Sequence, residues 1–80
     1  MESRNLDIRL LILETWSEVL GREVVEEDQS FFDIGGDSFL ATLVMGALSD
    51  ELNVDLSVTD MYAHQTVELL SRHLREMMAS

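Results

Sequence analysis

Eighty residues with sixteen acidic side chains against five basic ones, a formal charge of −11, describe one small core under a strongly anionic surface. A chain of this length holds a single domain over residues 1–80, too small to wall off a deep active site of its own. The charge repels nucleic acid and anionic lipid, and without cysteine there is neither a disulfide framework nor a thiolate zinc site.

All the basic residues are arginines (Arg4, Arg9, Arg22, Arg72, Arg75), and they form no dense patch. The opening Met1-Glu2-Ser3-Arg4-Asn5 lacks the architecture of a signal peptide. The apolar run Leu10-Leu11-Ile12-Leu13 is far short of the ~20 residues that span a bilayer. These features predict a soluble, cytoplasmic monomer with no nucleic-acid or membrane partner.

Over residues 6–20, Ile8, Ile12, Trp16, Val19 and Leu20 recur at helical spacing, with Asn5 as the expected cap and Gly21 just past the end. Periodicity then disappears over residues 22–37. The acidic run Glu26-Glu27-Asp28 reads as solvated loop, and Phe31, Phe32 and Ile34 are expected to pin that loop to the core. An ordered loop of this length in so small a domain points to function. It ends in Gly35-Gly36, which suits a tight turn and removes side-chain bulk that would keep a partner's active site at a distance.

A second helix is predicted from Asp37 or Ser38 to Leu52. A core stripe of Leu40, Leu43, Val44, Ala47 and Leu48 would carry Glu51 inward. The stripe Leu40, Ala41, Val44, Met45, Leu48 and Leu52 leaves Glu51 at the edge, and it is preferred because an unpaired buried carboxylate is costly. That phase exposes Phe39, Leu43 and Ala47 at i, i+4, i+8 as an apolar strip in water. Ser57-Val58-Thr59-Asp60 has the form of a capping box opening a short helix through Ala63. Thr66 caps a last helix, with Glu68 in its first turn, Arg72 and Arg75 later as the helix dipole favours, and Val67, Leu70, Leu74 and Met77 as core stripe. The fold class is all-α: a small four-helix bundle of three principal helices and one short one, with a long first loop.

Chemistry concentrates where that loop meets the second helix, at Gly35-Gly36-Asp37-Ser38. If Asp37 caps the helix, Ser38 stands in the first turn with its hydroxyl free. A phosphate esterified there faces backbone N–H groups and the positive end of the helix dipole. Gly36-Asp37-Ser38 also looks like a block of some lipases and esterases, but the chain offers no strand–turn–helix elbow and no evident base or oxyanion hole. Asp33, Gly35 and Asp37 share only early EF-hand spacing, with no closing Glu, and His64 and His73 read as isolated, one at a loop or cap and one on a helix. No catalytic group and no metal site is expected.

The run Phe31-Phe32-Asp33-Ile34-Gly35-Gly36-Asp37-Ser38-Phe39-Leu40-Ala41-Thr42 closely resembles the attachment block of phosphopantetheine carrier proteins. The likeness continues through Glu51-Leu52-Asn53-Val54-Asp55-Leu56. It resumes at Met61-Tyr62-Ala63-His64-Gln65-Thr66-Val67, which is similar to the family's Leu-Phe-Glu-His-Pro-Thr-Val segment. With the opening helix, four blocks in order cover nearly the whole chain.

The resemblance implies an acyl-carrier-protein-like fold and no chemistry performed by the chain itself. Ser38 takes 4′-phosphopantetheine from coenzyme A through a phosphopantetheinyl transferase. The thiol of that arm then holds acyl or aminoacyl thioesters. Asp37 and Gly36 help place the serine, and Phe39 lies beside it on the docking surface. Read from the residues themselves, the exposed strip Phe39, Leu43 and Ala47 offers an apolar anchor for weak docking, with Met61 and Tyr62 on the short helix as a second contact that is also partly core. Partners implied are adenylation or acyl-loading, condensing and tailoring enzymes and a thioesterase of nonribosomal-peptide or polyketide (antibiotic) assembly.

The Gly-Gly pair and Phe39-Leu40-Ala41-Thr42 look more like peptidyl carriers than fatty-acid carriers. Asp37 departs from the His common there, Leu43 and Ala47 from more polar residues, and Gln65 from proline. Met1 and compact ends give the expectation of a discrete protein, and the small core that the cargo stays exposed. The competing reading is an acidic helical adaptor in which Ser38 is only a cap.

Overall fold

The computed structural model describes residues 7–79. Four helices follow in chain order: α1 (Ile8–Leu20), α2 (Ser38–Leu52), α3 (Val58–Ala63) and α4 (Val67–Ala79). The helix starts have chemical causes, as do the ends of α1 and α2. α1 opens on Asp7, whose Oδ1 accepts from the Leu10 N–H at 3.3 Å. The expected cap, Asn5, lies outside the described residues, and the helix begins only where its buried face begins, at Ile8. It closes on Gly21 in the left-handed region (φ 69°), where a side chain would be strained.

α2 is capped by Asp37 and ends on Asn53, also left-handed at φ 57°. α3 carries the capping box in full: the Ser57 side chain takes the N–H of Asp60, while the Asp60 carboxylate takes the N–H of Ser57. At α4, Thr66 Oγ1 accepts from the Leu69 N–H at 3.1 Å. Arg72 and Arg75 fall short of the last turn, which holds no basic residue, so the dipole argument for them does not apply. Arg72 pairs instead with Glu68 one turn back at 3.6 Å, an exposed contact of little energetic weight.

α1 packs against α2 and α4, and α3 closes against α2. Ile8, Ile12 and Trp16 from α1 meet Ala41, Val44, Met45, Leu48 and Leu52 from α2 and Val67, Leu70 and Leu74 from α4, all buried. Val19, Leu20 and Met77 are half-buried at the edge. On α2 the preferred stripe is the buried one, with Leu40 half-buried and Glu51 exposed. Trp16 is wholly buried, and its Nε1 finds no hydrogen-bond partner among the described residues.

Residues 22–37 are an ordered connection. Phe31 is fully buried, edge-on to Trp16 with ring centroids 4.9 Å apart, and Phe32 and Ile34 pack beside it. The backbone is tied at two points within that stretch. Glu27 O accepts from the Glu68 N–H at 3.1 Å, and Gln65 O accepts from the Phe31 N–H at 2.8 Å. Gln65, which stands where the resembling segment has proline, adds side-chain links that proline cannot make. Its Oε1 takes the Ser30 hydroxyl at 2.9 Å, and its Nε2 donates to Tyr62 O at 3.0 Å. One residue thus joins the loop to both α3 and the start of α4.

His64 and His73 are not isolated. Their rings stack with centroids 4.0 Å apart, and His73 Nε2 lies 3.1 Å from Asp60 Oδ1. The stack brings the end of α3 against α4, and Asp60 serves both this contact and the capping box.

Candidate functional site

The site is built where the loop turns into α2. Gly35 makes the turn at φ 116°, a conformation that side chains rarely adopt. Gly36 is required for a different reason from the one expected. A Cβ on Gly36 would lie 2.2 Å from Phe31 Cε2 and 2.7 Å from Phe31 O. The missing side chain therefore makes room for the buried Phe31 ring of the same molecule, whose carbonyl also takes the Gly36 N–H at 2.9 Å. Gly36→Ala is expected to destabilise the fold by about 1–3 kcal/mol, since the overlapping group is a fully buried ring. Urea unfolding followed by the fluorescence of the single tryptophan measures it, and an unchanged midpoint would contradict the steric argument.

Asp37 then caps α2, its Oδ1 accepting from the Leu40 N–H at 2.9 Å, with its carbonyl taking the Ala41 N–H at 2.8 Å. Ser38 is released from capping and stands exposed as the first residue of the helix. Its hydroxyl is not free, as the sequence suggested, but hydrogen-bonded to the Tyr62 hydroxyl from α3. The Ser38 carbonyl accepts from Thr42 Oγ1 at 2.9 Å within the helix.

Tyr62 is held by stacking on Phe32, with centroids 4.8 Å apart and planes within 9°. Phe32 in turn meets Phe31 edge-on at 5.6 Å. A continuous row of rings, Trp16, Phe31, Phe32 and Tyr62, therefore runs from the centre of the core to the Ser38 hydroxyl. Sequence reasoning missed this row, because its members lie on α1, the loop and α3, and only packing brings them into line.

Beside Ser38, Phe39 is 69% exposed and Leu43 46% exposed, with Ala47 also in solvent, so the apolar strip on α2 is real. Tyr62, 46% exposed, extends it onto α3. Met61, expected as a second surface contact, has no exposed area and belongs to the core. A six-residue helix is under two turns, too short for sequence periodicity to fix which neighbour faces inward. Leu10 and Val25 are similarly exposed elsewhere, so apolar exposure alone does not mark this face.

A family model described as "Phosphopantetheine attachment site" matches residues 11–74. The chain belongs to the phosphopantetheine carrier family. Among its relatives, pyochelin synthetase PchE of Pseudomonas aeruginosa is 39% identical over 64 residues, which are 80% of this carrier and 4% of that synthetase. The carrier thus spans a small fraction of the length of such relatives. Among solved structures, the McyG A-PCP complexed with phenylalanyl-adenylate is 33% identical at a TM-score of 0.81, covering 88% of this carrier and 11% of that chain. BlmI, a type-II acyl carrier protein from Streptomyces verticillus, superposes at a TM-score of 0.84 over 89% of this carrier and 86% of that chain, at 24% identity. Its likeness fixes the fold.

The carrier is thus a non-catalytic tether with the acyl-carrier-protein fold, on the peptidyl-carrier side of the family. An exposed primary hydroxyl on the first residue of a helix, with the cap made by the neighbouring Asp37, fits the esterified 4′-phosphopantetheine group. That group supplies the thiol on which thioesters are held. No helix among the described residues is long and apolar enough to cross a membrane.

Proposed function

We propose that this carrier bears 4′-phosphopantetheine on Ser38 and presents aminoacyl or acyl thioesters to successive enzymes of nonribosomal-peptide or polyketide assembly, acting as a discrete monomeric protein in the cytoplasm. The observation that carries the residue assignment is the division of labour at the head of α2: Asp37 takes the cap, and Ser38 is left exposed. In loading, the Ser38 Oγ–P bond forms as the pyrophosphate bond of coenzyme A breaks. Adenosine 3′,5′-bisphosphate leaves, and the serine proton passes to base. The neighbouring helix end favours the new anion.

The kinship with a synthetase and with an adenylation–carrier pair supports aminoacyl cargo, delivered by an adenylation partner after a phosphopantetheinyl transferase has acted. Condensing and tailoring enzymes and a thioesterase are the expected later partners. The acidic surface speeds encounter with basic patches on such enzymes, and the small apolar strip gives contacts weak enough to exchange. Incubation with coenzyme A, magnesium and a promiscuous phosphopantetheinyl transferase tests the reading. The intact mass is expected to rise by one phosphopantetheine, and no rise in a folded sample would overturn it.

The strip yields its own prediction. Phe39→Asp removes a largely exposed ring, so stability should change by no more than about 0.5 kcal/mol. Aminoacylation of the loaded variant by an adenylation domain that charges the wild type should slow roughly tenfold or more through KM, the size of a docking anchor's loss. Equal initial rates would remove Phe39 from the docking surface.

A further inference from the structure

Where the resembling segment has phenylalanine, this chain has Tyr62, and the added hydroxyl meets Ser38. We propose that Tyr62 is a binding residue for the phosphodiester: its phenol bonds Ser38 Oγ before loading and donates to a non-bridging phosphate oxygen afterwards. The proposal rests on Ser38 being the attachment residue.

Esterification changes what the serine offers. Ser38 Oγ loses its proton and becomes an ester oxygen, a poor acceptor, while the anionic oxygens stand one bond further out. A phenol already in contact with Oγ is within a small rotation of them. A hydrogen bond from O–H to an anionic oxygen is shorter and about twice as strong as a neutral one, so the phenol gains by following the charge.

The donor is also placed in advance. The Tyr62 ring is stacked on Phe32 at 4.8 Å, and its carbonyl is held by Gln65 Nε2 at 3.0 Å. The adjacent Met61 anchors α3 in the core. Little freedom remains to be lost when the phosphate arrives. The side chain is half-exposed, so the arm can leave the site without displacing any core residue. The consequence is an arm whose root is fixed against α3 while its thiol end remains mobile.

The test compares wild-type carrier with Tyr62→Phe, which keeps the stacked ring and removes only the hydroxyl. Both are loaded with coenzyme A, magnesium and a promiscuous transferase and checked by intact mass. In ³¹P spectra the folded wild-type phosphodiester should be displaced from its position in the urea-unfolded loaded protein, and Tyr62→Phe should move most of the way back to that position. Coincident ³¹P signals from the two folded proteins would overturn the proposal while leaving Ser38 loading intact. A wild type that gains no phosphopantetheine would overturn the carrier reading and this inference with it.

A second measurement leaves Tyr62 unchanged. Its ¹³Cζ resonance should move in unloaded Ser38→Ala, where the phenol has lost its partner, and should keep a hydrogen-bonded position in the loaded wild type. A loaded wild type whose ¹³Cζ matches that of Ser38→Ala would also overturn the proposal.

Discussion

Ser38→Ala is expected to fold like the wild type and to accept no phosphopantetheine at all. The substitution removes one exposed hydroxyl that caps nothing, since the cap bond at the head of α2 is made by Asp37. Alanine is also the better helix former, so the first turn is preserved. The lost contact with the Tyr62 hydroxyl is made at the surface, where water replaces either partner, and the stability change should stay within about 0.5 kcal/mol. Loading needs an oxygen at that position to form the ester, and alanine has none. The expected contrast is therefore all-or-none in intact mass beside nearly superimposed melting curves. Phosphopantetheine gained by the alanine variant would place the attachment elsewhere.

Phe31→Ala is expected to destabilise the fold severely. The ring is wholly buried, meets Trp16 and Phe32 edge-on, and fills the space beside Gly36 that no side chain occupies. Truncating a buried phenylalanine costs about 3–5 kcal/mol, from lost transfer free energy and the cavity left behind. Small domains have about 5–15 kcal/mol in total, so the variant should be close to the threshold of folding. For a domain of this size each kcal/mol shifts Tm by about 4–8 °C, which puts the drop at roughly 12 °C or more.

The loss also reaches the site. Phe31 stands between Trp16 and Phe32 in the row of rings that holds Tyr62 beside Ser38. Loading by the transferase should therefore slow even below the Tm. Thermal unfolding followed by Trp16 fluorescence is a direct readout, because that indole is buried against the deleted ring. A loss under about 1 kcal/mol would mean that the loop is held by its backbone bonds alone. Phe32→Ala, on a half-buried ring, is the internal comparison and should lose less.

These two expectations separate what each level of description supplies. Much of the capping chemistry was legible residue by residue, although the sequence left Asp37 and Ser38 both open at α2 and pointed to Asn5 where Asp7 caps α1. Asp37 at α2, the capping box at Ser57 and Thr66 at α4 act within three positions of themselves, and local hydrogen bonds need no knowledge of the rest of the chain. The phase of α2 was legible too, because fifteen residues give about four turns. The burial cost of Glu51 could then decide between two stripes. The order of the four blocks around Gly-Gly-Asp-Ser was enough to indicate the family.

Contacts made across the fold were not legible. Ser38 and Tyr62 are 24 positions apart, and Ser30 and Gln65 are 35 apart. His64 and His73, which are nine positions apart in the chain, are stacked because the residue that ends α3 meets the middle of α4. The space that Gly36 leaves is occupied by Phe31 and not by a partner, and Met61 faces the core and not the surface. Each depends on the relative placement of separate elements, which a periodic pattern does not encode. Local pattern was enough for the four helices, the caps at Ser57 and Thr66, the α2 stripe and the kind of protein. Packing alone decided which neighbours hold the Ser38 hydroxyl, because side chains distant in the chain meet only once the helices have buried their apolar faces against one another.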